Sequence, residues 1–66
     1  MTRQEKLIEM VQGMLMLIEQ NKIEPARAHG AQIFIGVAMK PDCSDQAFDI
    51  VYQMYKNTYS ACLETV

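Results

Sequence analysis

Few side chains in this 66-residue chain are placed for covalent chemistry. Asp45 and Asp49 fall one helical turn apart, a spacing that in principle pairs two carboxylates for general acid–base work. On the polar side of a helix the same spacing is ordinary solvated charge. The two thiols, Cys43 and Cys62, and the lone imidazole, His29, are not joined by the C-x-x-C or H-x-x-x-H spacing that builds a metal site. No nucleophile elbow and no phosphate-binding loop is present. A chain of this size also rarely encloses the pocket of at least about 300 Å³ that a substrate needs. The sequence reads as a non-enzyme with no metal and no cofactor.

The chemistry that remains is that of contact. Between Ser44 and Thr65 the apolar residues form two adjacent stripes at helical spacing. One stripe holds Ala47, Ile50, Val51, Met54, Thr58, Ala61 and Cys62; the other holds Phe48, Tyr52, Tyr55, Tyr59 and Leu63. Together they wrap more than half the helix, leaving Asp49, Gln53, Lys56, Asn57, Ser60 and Glu64 for water. One short helix cannot cover so wide an arc. Tyrosine offers a large, rigid contact whose hydroxyl tolerates water, and it is enriched at interfaces. The tyrosine stripe is therefore read as a protein interface, with the flexible methionines Met10, Met14 and Met16 as further contact residues. The alternative is that Phe48 and Tyr52 complete the chain's own core and leave Tyr55 and Tyr59 half exposed. On the interface reading Tyr55→Asp weakens association and leaves helix content intact.

Three helices must position these residues. Thr2-Arg3-Gln4-Glu5 has the form of a capping box directly before Leu7, Ile8, Val11, Met14, Leu15 and Ile18, a run widened by Met10 and Leu17. A first helix is expected over about 3–21. Gly13 inside it is read as a tolerated cost of about 1 kcal/mol against alanine, with close approach of another backbone as the alternative. Asn21 accepts the left-handed conformation that ends helices, Pro25 suits a first turn, and Pro41 stops what Pro25 starts, so the second helix is expected over 25–39. Its apolar residues point nearly all round, the mark of a buried helix. A strand over 32–38 competes, since that stretch is rich in β-branched residues. Ser44 or Asp42 can cap a third helix, expected over 44–63.

Composition says why a partner is expected. Half the residues are apolar, yet a chain this short buries only about 60% of its unfolded surface. Disulfide, metal and oligomerisation are the usual remedies. Cys43 and Cys62 bracket the third helix and would stand roughly 28 Å apart at its rise, too far to pair. Unpaired thiols and a start at Met1 without a signal peptide point to the cytoplasm. The net charge of −2 and the acids Asp42, Asp45 and Asp49 at the start of the third helix oppose direct nucleic-acid binding. The longest apolar run, 33–39, is far short of the ~20 residues that span a bilayer.

The expectation is thus an all-α, three-helix homodimer that binds another protein as a regulator or inhibitor, adaptor or secretion-type chaperone. The alternatives are a structural subunit stable only within a larger complex, and a transcription-related regulator acting through a DNA-binding partner.

Overall fold

The helix boundaries follow local chemistry. A computed structural model describes residues 2–64, in which α1 spans Arg3–Glu19, α2 Pro25–Ala38 and α3 Asp45–Glu64, with no strand among the described residues. The capping box is made in both directions: the Glu5 amide donates to the Thr2 hydroxyl and the Thr2 amide to the Glu5 carboxylate, each at 3.2 Å. Asn21 takes φ of 55°. The Asn21 amide then donates to the Ile18 carbonyl and the Lys22 amide to that of Leu17. That pair of bonds is a Schellman motif, and it ends α1 two residues before the expected boundary. Pro25 opens α2 as expected. Of the two possible caps for α3, Ser44 is used, its hydroxyl accepting from the Ala47 amide at 3.1 Å.

Residues 32–38 are helical, so the competing strand is excluded. Proline at the first turn and small residues spaced through the segment let the backbone satisfy itself as a helix.

Helices α1 and α3 run parallel in a fixed register. Arg3 pairs with Asp45 at 3.3 Å and Lys6 with Asp49 at 3.9 Å; Tyr52 reaches Glu9 and Tyr59 reaches Met16. Each pair is offset by 42 or 43 positions, as two rods of equal rise lying side by side require. Helix α2 runs back antiparallel alongside the pair and packs on both. The core where the three meet holds Met10, Met14 and Leu17 of α1, Ile35 and Ala38 of α2, and Phe48, Val51, Tyr55 and Cys62 of α3. Cys43 and Cys62 are free thiols.

Candidate interaction surface

The tyrosine stripe turns inward. Phe48 and Tyr55, expected at an interface, are buried, as are Met10 and Met14 on the facing helix α1. Tyr52, Tyr59 and Met16 are half-buried and pack on the same core. Of the eight residues assigned to a second chain by periodicity, only Leu63 is exposed. This inward orientation has a physical cause. Gly13 leaves a gap on α1 in which the Tyr55 ring lies; a Cβ there would overlap the Tyr55 hydroxyl. Gly13 is therefore neither a tolerated cost nor a site of backbone approach. It is the socket that lets the aromatic stripe face its own chain.

Hydrogen bonds fix that packing. The Tyr55 hydroxyl donates to the Glu9 carbonyl at 3.2 Å and the Tyr52 hydroxyl to the Glu9 carboxylate at 2.9 Å. The Tyr59 hydroxyl lies 3.9 Å from the Met16 sulfur. Lys6 and Lys56 stand over the Tyr52 ring at 5.1 and 5.4 Å from its centroid, where the negative ring face attracts cations. The hydrogen bond to Glu9 raises the Tyr52 pKa, helped by burial and the Glu9 charge. Tyr55 is pushed up to about 12, chiefly by burial and then by Glu9, Tyr59 and Tyr52.

That shift gives a prediction. Below pH 10 Tyr55 is neutral in both folded and unfolded chains, so its contribution to stability is fully present. Between pH 10 and about 12 the unfolded chain ionises first and stability falls. Two pKa units correspond to about 2.7 kcal/mol. Because Tyr55 borders the open groove between α1 and α3, solvent screening reduces the expected loss to about 1–2 kcal/mol. Urea midpoints measured at pH 8 and pH 11.5 should separate accordingly, and the separation should narrow in Tyr55→Phe. A separation that does not narrow in Tyr55→Phe would refute the assignment.

With the tyrosines inside, a different set of large apolar residues faces water. On α1 these are Ile8, Val11, Leu15 and Ile18, spaced 3-4-3 as in a coiled-coil seam. On and just after α2 they are Ile33, Phe34, Val37 and Met39; on α3, Ile50, Met54 and Leu63. Helix α2 is inverted relative to an ordinary amphipathic helix. It buries Ala28, Ile35 and Ala38, while Ile33 and Phe34 are 55% and 48% exposed. Sequence reading made α2 buried all round; it is buried on one narrow, mostly small-residue face.

The surface is grooved on both sides of α2. One groove, of about 130 Å³, runs past Val11, Leu15, Gln32, Gly36 and Met39. The other, of about 270 Å³, is lined by Arg27, Gly30, Phe34, Val51, Met54 and Thr58, with Tyr55 and Ile35 among its walls. A third, wider groove of about 680 Å³ between α1 and α3 is more polar, with Glu5, Glu9, Gln12, Lys56 and Ser60 on it. Among the described residues no cluster of three or more His, Cys, Asp or Glu is placed to hold a metal ion. No described helix is long and apolar enough to cross a membrane. Asp45 lies 3.3 Å from Arg3 and Asp49 3.9 Å from Lys6, so both members of that carboxylate pair face basic side chains of α1.

No family model, no curated protein and no solved structure matches the chain.

Proposed function

We propose that the protein is a small, non-enzymatic interaction module that self-associates and holds a helix of another protein. The observation that supports this reading is the apolar belt just described, which runs from the α1 seam across α2 to the edge of α3. Monomeric soluble proteins seldom expose a contiguous apolar patch above a few hundred Å², and residues such as Ile33, Phe34 and Ile50 each leave about half their surface in water.

The α1 seam suits a target helix. Its 3-4-3 spacing is the repeat into which the apolar residues of a second helix interdigitate. Its outer margin carries Glu5, Gln12 and Glu19, all exposed, while the basic residues of α1, Arg3 and Lys6, are turned toward α3. A target helix with Lys or Arg beside its apolar stripe is the complementary occupant. Work as a regulator, adaptor or secretion-type chaperone in a reducing cytoplasm fits a module of this kind with two free thiols.

Sedimentation velocity over micromolar concentrations tests the reading. The expected result is a folded chain whose mass rises reversibly with concentration. A folded chain that stays monomeric throughout overturns self-association. A chain that is unfolded or aggregates when alone is instead a subunit built for a larger assembly.

A further inference from the structure

We infer that the outer face of α2, with the adjoining edge of α3, seats a second copy of this chain, and that Gly30 marks the point of closest approach. The inference rests on the self-association proposed above and names the surface that performs it.

The glycines of α2 are the starting point. Glycine in a helix is destabilising by about 1 kcal/mol relative to alanine, so each one needs a reason. At Gly13 the reason is Tyr55. At Gly30 and Gly36 a Cβ would meet nothing within 4 Å, and neither glycine adopts a positive φ. Packing within the chain and backbone conformation therefore require neither. Gly30 lies in line with Ala26 and Phe34, four residues to either side, and next to Ile33, with Val37 two turns further along the same side. It leaves bare backbone in the middle of the exposed apolar face. Helix axes come closest, near 8 Å, where the side chains between them are smallest, so a gap there becomes useful once another helix crosses it.

A glycine alone would mark nothing; charge and area identify the occupant. The strip formed by Ile33, Phe34, Val37, Ile50 and Met54 is bordered on α3 by Gln46, Gln53 and Asn57, all neutral amides. Arg27 stands at one end of it. Two identical copies can meet across such a strip without setting like charges against each other. The α1 seam differs, since an antiparallel copy laid on it brings Glu5 and Glu19 toward the same acids of its partner.

These five residues are 41–56% exposed, on the order of 100 Å² each when a large side chain offers about 200 Å². With Ala26, Gly30 and the amide rim, the patch approaches the roughly 600–800 Å² per partner of a specific interface. A symmetric pair uses the same patch twice, which suits a strip whose one charge, Arg27, stands at its end.

The test exploits opposite signs. Gly30→Ala should raise the melting temperature of the dilute monomer, because the added methyl meets open space. The same change should weaken the dimer about tenfold, a loss equivalent to about 1.4 kcal/mol. Phe34→Glu should weaken it by at least about 30-fold with helical circular dichroism retained, while Leu15→Glu should leave the dimer constant within about twofold. Sedimentation equilibrium on the full chain reads all three.

A dimer that is unchanged or tighter in Gly30→Ala overturns the inference, as does one indifferent to Phe34→Glu. If Leu15→Glu breaks the dimer and the α2 variants do not, this placement fails while self-association stands. If the wild-type chain is monomeric at every concentration, both fail together.

Discussion

Replacing Tyr55 with aspartate should unfold the protein, and not merely separate copies of it. Tyr55 is only 7% exposed, lies over Gly13 and donates to the Glu9 carbonyl. Losing a buried aromatic ring is worth about 3 kcal/mol or more, and the lost hydrogen bond adds about 1 kcal/mol. The new carboxylate would sit in the core, near the Glu9 charge that already raises the Tyr55 pKa, where an unpaired buried charge is destabilising by several kcal/mol. A single core of this size supplies only about 3–5 kcal/mol of net stability, so the variant has no margin left. Circular dichroism at 222 nm should show loss of helix at room temperature and no cooperative melt. If instead the variant melts cooperatively near the wild-type temperature and only its association is weakened, the ring belongs to an intermolecular surface and the packing described above is wrong. Phe34→Glu is the matched control, since it places the same kind of charge on an exposed apolar residue and should leave the fold standing.

The contrast between Tyr55 and Phe34 shows what was legible in the sequence. Element ends are local chemistry, and Thr2 with Glu5, Asn21, Pro25, Pro41 and Ser44 each act within a few residues of themselves. Periodicity likewise made the two stripes of α3 visible. It could not say which stripe faces the chain's own core, because that depends on what the neighbouring helix leaves open. Helix α1 poses the same ambiguity: Met10, Met14 and Leu17 form an inner face, while Ile8, Val11, Leu15 and Ile18 form the outer edge, and all belong to one broad apolar arc in the sequence.

Two signals pointed the right way. Short connections between three helices leave the first and third parallel, and Arg3 and Lys6 on α1 match Asp45 and Asp49 on α3 at helical spacing in that arrangement, which brings the tyrosines against α1. A glycine flanked by Met10, Met14 and Leu17 is a gap in an otherwise bulky face, and a bulky stripe elsewhere in the chain is the natural thing to fill it. The exposed face of α2 was hidden for a different reason. A helix apolar all round reads as buried by default, and only three-dimensional packing shows that Ala28, Ile35 and Ala38 are inside while Ile33, Phe34 and Val37 are outside.

Gly13→Ala tests that gap directly, and its expected sign is opposite to that of the same change at Gly36. At Gly36 the added methyl enters open space, so alanine should stabilise the helix by up to about 1 kcal/mol. At Gly13 the same propensity gain is outweighed. The Cβ would overlap the Tyr55 hydroxyl and come within 2.9 Å of Cζ and 3.2 Å of Cε1. The Tyr52 and Tyr59 rings stand 6.4 and 5.7 Å away along α3, centroid to centroid, so the Tyr55 ring yields toward the open groove between α1 and α3. Overpacking of this kind is destabilising by about 1–3 kcal/mol, and displacing the hydroxyl forfeits its bond to Glu9, another ~1 kcal/mol. The net expectation is destabilisation by about 1–3 kcal/mol, read as a lower urea midpoint. A double-mutant cycle isolates the cause. Tyr55→Phe alone should be destabilising by about 1 kcal/mol through the lost hydrogen bond. In the Gly13→Ala background it removes the overlapping oxygen, so it should be neutral or stabilising, a coupling of at least about 1 kcal/mol between residues in contact. Additive effects, or a Gly13→Ala variant as stable as Gly36→Ala, would mean that Tyr55 does not occupy the gap, and the inward orientation of the whole aromatic stripe would fall with it.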